Sequence, residues 1–219
     1  DATLRCVDVQ ERRLAWTLAA EGGPAQFLSS PQSDGQTVFA ANTNGRLYAV
    51  DLESGALRWT FTPPGEQRTP ILHHAPLLAG DLVIVGSYDH HVYAVERGSG
   101  QLRWSGPDLG RRIYSRPAVS GTGPQELVYA ASFAKERLLY GLRLSDGSPA
   151  WEQPPALQAR PRGDFVLAAG TVVVPGHDGT LHFIAAPSAQ SAGTPQEMAD
   201  AGDWPLAAWK LAQGGEPAG

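Results

Sequence analysis

Apolar positions in this chain fall in short blocks of four residues and never hold a helical spacing for long. Leu47-Tyr48-Ala49-Val50, Leu82-Val83-Ile84-Val85, Val92-Tyr93-Ala94-Val95 and Leu127-Val128-Tyr129-Ala130 are apolar at every position. Runs of this kind predict strands covered on both faces, because a strand with one wet face alternates with polar residues. Turn chemistry separates the blocks, at Asn44-Gly45, Ala79-Gly80-Asp81, Tyr88-Asp89-His90-His91 and Asp178-Gly179. Asn-Gly and Asp-Gly pairs accept the positive φ angles of two-residue hairpin turns. The expectation is an all-β chain of short strands and tight turns.

The order of the blocks repeats. An eleven-residue phrase ends in tryptophan at residues 6–16, 49–59, 94–104 and 141–151, which sets Trp16, Trp59, Trp104 and Trp151 apart by 43, 45 and 47 residues. A period in this range with four short strands belongs to propellers and related arrays. Radial stacking would cover both faces of each sheet. The predicted fold is therefore a β-propeller of four-stranded antiparallel blades. It divides into a half blade at 1–18, blades at 25–63, 68–107 and 112–154, and a degenerate blade at 160–211. Residues 187–203, rich in Ala, Ser, Gly, Gln and Pro, read as an insertion and 212–219 as a flexible tail. Trp204 or Trp209 would supply the last outer strand or a short docked helix.

A structural reading accounts for the whole phrase. The four tryptophans are expected to wedge between blades, with the Ala or Gly ten residues earlier leaving room for each ring. Gly55, Gly100 and Gly147 suit left-handed turn positions, and Asp8 or Asp51 can accept hydrogen bonds from turn amides.

These residues resemble the pyrroloquinoline-quinone-like (BamB-like) β-propeller repeat, whose signature is Ala-x-Asp-x-x-Thr/Ser-Gly-x-x-x-Trp. Ala49, Asp51, Ser54, Gly55 and Trp59 match it fully, and Ala94, Ser99, Gly100 and Trp104 match with Glu96 in place of Asp. Gly147 and Trp151 remain in the third copy, Asp8 and Trp16 in the first. The resemblance spans residues 4–186 and implies a fold more than a function, since the repeat builds quinoprotein dehydrogenases, non-enzymatic outer-membrane assembly proteins and receptor-kinase sensor domains.

Composition narrows the choice. A formal net charge of −5 argues against general nucleic-acid binding, which wants a basic face. No apolar run approaches the length of a membrane span. The chain opens without Met at what reads as the third strand of a blade, so it is expected to be the C-terminal portion of a larger propeller; a small closed or dimerised ring is the alternative. Cys6 is the only cysteine, which rules out an internal disulfide, and it is expected to act as a small buried residue.

The sharpest enzymatic hypothesis is a quinoprotein dehydrogenase fragment. The resemblance would then imply bound quinone, a calcium site of carboxylate and amide oxygens, a catalytic Asp and a vicinal cysteine pair. A single cysteine cannot supply that pair, so neither quinone nor calcium is expected, and no catalytic, cofactor or metal residue is assigned. His73-His74, His90-His91, His177 and His182 invite a metal reading, but adjacent histidines on a strand point to opposite faces. They read better as turn residues and strand fillers, and Arg162-Gly163-Asp164 as a chance tripeptide.

Topology gives a better clue. In a four-stranded blade the inter-blade loop and the turn between the second and third strands emerge on one face. Arg68, Arg111, Arg112, Arg160 and Arg162 lie in inter-blade segments, so they are expected to form a basic inner rim. Asn42, Asn44, Tyr88, Asp89, His90, Lys135, His177 and Asp178 occupy the turns of the same face. Arg58 and Arg103, on outer strands, should lie away from it. The expected function is a non-catalytic binding or scaffold module, extracytoplasmic or periplasmic and of the BamB-like type, that engages a protein partner through one loop face. A ligand-sensing receptor domain is the remaining alternative.

Overall fold

The computed structural model describes residues 2–21, 25–65, 72–120, 126–133, 139–151, 156–157, 159–161, 163–168 and 170–185. Arg68, Lys135, Arg162, Trp204, Trp209, the 187–203 insertion and the tail lie outside them. The described residues form sixteen strands and no helix. The first sheet pairs β1 (Thr3–Asp8) with β2 (Arg13–Ala19). A four-stranded sheet follows with β3 (Gln32–Ser33), β4 (Thr37–Ala41), β5 (Leu47–Asp51) and β6 (Leu57–Phe61). The next has β7 (Leu77–Ala79), β8 (Leu82–Gly86), β9 (Val92–Glu96) and β10 (Leu102–Ser105). Two three-stranded sheets complete the series, β11 (Ala118–Ser120) to β13 (Leu139–Arg143) around β12 (Leu127–Ala131), and β14 (Val166–Ala168), β15 (Thr171–Pro175) and β16 (Leu181–Ala185). In the sheet of β11 to β13 an isolated bridge between Leu142 and Pro149 stands where the four-stranded sheets have an outer strand.

Strands pair antiparallel in chain order within every sheet, so each sheet is a simple meander. The central strands β4, β8 and β12 are buried at all five positions. Their two faces enter different cores, as the two-residue period of a strand requires. Val83 and Val85 of β8 pack with Phe39, Ala41 and Leu47 of the preceding sheet, whereas Ile84 packs with Val128, Ala130 and Leu142 of the following one. Tyr129 and Ala131 continue the alternation toward Val172 and Val174, and Val38 and Ala40 toward Leu4. Stacked sheets thus cover one another, which is why these strands need no polar positions.

The outer strands obey different rules. In β2, β6 and β10 most residues are exposed, and the register slips by one residue just before the tryptophan. Trp16, Trp59 and Trp104 pair with Cys6, Ala49 and Ala94, but Leu14, Leu57 and Leu102 pair one position later, leaving Ala15, Arg58 and Arg103 as bulge residues. A bulge sharpens the local twist and re-aims the neighbouring side chain. Here it turns each indole into the seam between sheets. Trp16 Nε1 donates to the Leu52 carbonyl at 2.9 Å, Trp59 Nε1 to Arg97 at 3.1 Å and Trp104 Nε1 to Leu144 at 2.8 Å.

Each acceptor sits in the last turn of the following sheet, beside a glycine. Gly55, Gly100 and Gly147 have φ of 72°, 74° and 74°. A Cβ on them would approach Trp16, Trp59 and Trp104 to 2.5, 2.7 and 2.5 Å. The glycine is therefore required twice, for its backbone angle and for the indole lying over it. Room for the ring comes from this glycine of the next sheet, and at Trp151 from Gly141, the small residue ten positions earlier, where a Cβ would approach the ring to 3.1 Å. Trp151 also packs on Tyr129, at 5.9 Å between ring centroids.

Asp51 secures the turn. Its Oδ1 accepts from the Ser54 backbone at 2.8 Å and hydroxyl at 2.7 Å, and its Oδ2 meets Arg58 at 2.6 Å. These hydrogen bonds, the Ser54 amide foremost, hold its carboxyl well below the usual carboxylate range. Asp8 accepts from the Gln10 and Glu11 amides in the equivalent turn. Cys6 is half-buried on β1.

Candidate functional site

Inter-blade segments and the turns between second and third strands are tied into one surface by backbone hydrogen bonds. Leu109 and Ile113 donate to the His90 and Ser87 carbonyls of the β8–β9 turn. Phe133, after β12, donates to Arg112, and His177, after β15, donates to Arg160. Leu72 likewise donates to Asn42 of the β4–β5 turn. Gly86 lets Ile113 sit directly on β8, since a Cβ there would lie 2.6 Å from its Cγ2.

Several turn residues prove to be occupied with their own turn. Asn42 Oδ1 accepts from the Asn44 and Arg46 amides, Asp89 from the His91 amide and the Tyr93 hydroxyl, and Asp178 from Thr180. His90 adopts φ 83° and places Nδ1 3.2 Å from Asp108. His182 sits against the Thr180 hydroxyl at 3.2 Å.

Between these turns lies an aromatic cluster that the sequence pattern did not announce. The rings of His73, Tyr88 and Tyr114 are within 20° of parallel, with centroids 5.6, 5.5 and 6.2 Å apart. Such a triangle leaves no ring sandwiched between the other two. His74 meets Tyr114 edge-on at 5.6 Å, and Phe133 packs on Tyr114 at 5.1 Å. The Arg112 guanidinium lies 5.1 Å from the Tyr88 ring and that of Arg160 lies 4.7 Å from Phe133, both within cation–π range. The two histidines do not diverge as strand neighbours would. They precede β7, outside any strand, and their centroids are only 5.2 Å apart.

Burial tunes this cluster. It pushes the Tyr88 phenol well above its ordinary range, and a hydrogen bond with Tyr114 adds to the effect. The His74 imidazole is lowered to about 4, first by burial and then by His73, against an opposing pull from Asp164. His73 Nδ1 and His74 Nε2 are buried without a hydrogen-bond partner.

The same is true of Ser29 Oγ, Asn42 Nδ2, Asn44 Oδ1, Arg116 Nε and Ser132 Oγ. All of these atoms belong to inter-blade segments or to second-to-third-strand turns, so among the described residues the orphaned polar groups gather on one face. Native structures leave few such groups, and each asks for a partner. Arg116 Nη2 donates to Gln32 Oε1 of β3 at 3.0 Å and so links the segment entering β11 to a strand one blade further away.

The sequence-predicted rim is divided by the structure. Arg111, Arg112 and Arg160 are described and exposed, and no carboxylate among the described residues pairs with any of them. Arg58 and Arg103 instead sit on outer strands, Arg58 on Asp51 and Arg103 near Asp81 and Glu96. The described residues contain no group of three or more His, Cys, Asp or Glu placed to hold a metal, and no helix long and apolar enough to cross a membrane.

Stacked antiparallel meanders with this seam are propeller blades. The family model described as outer membrane protein assembly factor BamB matches residues 1–200, and the chain belongs to that family. Among solved structures, BamB from Moraxella catarrhalis superposes with a TM-score of 0.61 at 18% identity, over 83% of this chain and 51% of that one. A europium-containing methanol dehydrogenase gives 0.64 at 13%, over 84% and 45%. The computationally designed Ika4 protein gives 0.61 at 16%, over 77% and 96%. At these identities the likeness concerns the fold alone, and the chain spans about half the length of BamB. No curated protein matches it in sequence.

Proposed function

We propose that this chain is a non-catalytic propeller module that docks a protein partner through its loop face, in an extracytoplasmic setting and in the manner of an outer-membrane assembly factor. The observation that carries the reading is the gathering, among the described residues, of orphaned polar atoms, arginines that no described carboxylate pairs and half-buried aromatic rings on that one face. Family membership supports the assembly-factor version.

A quinoprotein dehydrogenase is the competing reading, raised by the methanol dehydrogenase among the structural neighbours. The residues at hand do not fit it. These 219 residues hold one cysteine, on β1, and so do not themselves supply a vicinal pair beside a quinone. Of the acidic side chains of the face, Asp89 and Asp178 are engaged in their own turns, Asp108 meets His90 and Glu21 meets Arg46.

The test is site-specific photo-crosslinking in cells. Probes at Arg112 or Phe133 should give a discrete protein adduct, and probes at Glu53 or Ser99, in the turns at the other end of the blades, should not. Adducts from Glu53 and Ser99 alone would move the partner surface to the opposite face. Purified protein supplied with pyrroloquinoline quinone and calcium should show no alcohol oxidation; turnover would restore the enzyme.

A further inference from the structure

We propose that the loop face holds a short acidic segment of a partner protein, with an aromatic or prolyl ring over Tyr114 and a carboxylate at each end, on Arg112 and Arg160. This rests on the partner-face reading above and names the chemistry that the partner must present.

Charge supplies the first argument. Arg13, Arg46, Arg58, Arg97 and Arg103 each lie within 4 Å of a carboxylate of this chain. Arg112 and Arg160 rest on aromatic rings instead. Stacking fixes the plane of a guanidinium and leaves its N–H edge free for bidentate contact with a carboxylate. An ammonium would gain neither advantage, so arginine is the residue such a role demands.

Spacing supplies the second. The contacts run Arg112, Tyr88, Tyr114, Phe133, Arg160 in steps of 5.1, 5.5, 5.1 and 4.7 Å. The three rings therefore join the two cations in one contiguous cluster. At about 3.3 Å per extended residue, the path is spanned by no more than about six residues. Tyr88, Tyr114 and Phe133 are half-buried, so part of each residue stays open to a partner.

Net charge selects a short segment over a nucleic acid. The chain carries −5 overall, so a long polyanion is repelled beyond the rim. Local carboxylates feel chiefly the arginines within a Debye length of about 8 Å.

Calorimetric titration with blocked synthetic peptides tests this directly. The probe is Glu-Ser-Tyr-Pro-Ser-Glu, compared with a version carrying Gln for both Glu and one carrying Ala for both Tyr and Pro. The parent should bind at least tenfold more tightly than either. Arg112→Gln and Arg160→Gln should each weaken it at least fivefold, with Arg→Lys at the same sites intermediate, while Arg58→Gln and Arg103→Gln leave it unchanged. Equal denaturation midpoints confirm that the exposed-site variants fold. Equal binding of the Glu and Gln peptides overturns the proposal, as does equal loss in rim and outer-strand variants. N-acetyltyrosine binding as tightly as the hexapeptide would make the ligand a small aromatic acid, and tighter binding of an oligonucleotide would make it a nucleic acid. Loop-face crosslinks without any Glu preference would sink the acidic segment and leave the partner face standing. A Glu-dependent peptide with crosslinks only from Glu53 and Ser99 would do the reverse.

Discussion

The seam between blades and the loop face use the same residue types in opposite ways. At the seam, Trp59 and Trp104 lie over glycines with their indole N–H groups satisfied, and Arg58 and Arg103 are matched by carboxylates. On the loop face, Tyr88 and Phe133 lie under guanidinium groups that no carboxylate among the described residues pairs, next to imidazole nitrogens with no partner among those residues. A region whose donors, acceptors and charges close upon themselves serves the fold. One that leaves them open in a rigid frame serves something outside it, because unpaired buried polar groups cost stability.

The largest expected effect breaks the seam. Trp104→Ala should lower the unfolding free energy by about 3–5 kcal/mol, as for aromatic truncation in a core. Gly147→Ala should also be strongly destabilising, from its positive φ and the 2.5 Å approach to Trp104. Because both remove one contact, the double variant should lose less than the sum; additive losses in denaturation curves would show that indole and glycine are not partners.

The next effect concerns the other region. Reversing Arg111 and Arg112 to Glu should weaken partner binding more than tenfold and reduce its salt dependence, while reversing Arg58 and Arg103 should leave binding intact. Titration at two salt concentrations reads both, and equal behaviour of the two pairs would erase the distinction between the faces.

His74 sharpens the comparison through pH. Its folded-state value of about 4 lies below the ordinary 6.5, so between these limits the unfolded chain takes up a proton that the folded chain refuses. Its contribution is therefore intact above 6.5 and is lost as pH falls toward 4. His74→Asn should flatten the corresponding decline in denaturant midpoint; an unchanged pH profile would mean that the loop cluster is not desolvated. Smallest of all should be Arg58→Ala, whose exposed ion pair with Asp51 should shift the midpoint far less than Trp104→Ala.

The seam was legible in the sequence because it repeats. Four copies of one phrase expose the tryptophan, and three of them each the left-handed glycine and the carboxylate of the turn. What repetition did not announce is that each indole seats on the next blade's glycine, since Trp59, Trp104 and Trp151 also have a glycine in their own copy. The loop face is the opposite case. His73, His74, Tyr88, Tyr114 and Phe133 come from four separate segments, and only Tyr88 and Phe133, each after a serine in equivalent turns, follow the period. Inter-blade arginines could be placed by topology, but reading His73-His74 as strand residues sent their rings apart. The usable signal was position: Tyr114 and Phe133 flank the blade's first and second strands at the end where the arginines lie.

The seam also has a direction in time. Each indole donates forward along the chain, to a carbonyl 36, 38 or 40 residues later. A ribosome adding about 5–20 residues per second needs about 2–8 s to make that stretch. Throughout this interval the newest blade shows a large bare ring on its leading side. Growth from the N-terminus is therefore a relay in which every blade waits with its plug exposed for the socket still being synthesised, and a pause in translation inside a blade prolongs the exposure of the one before it.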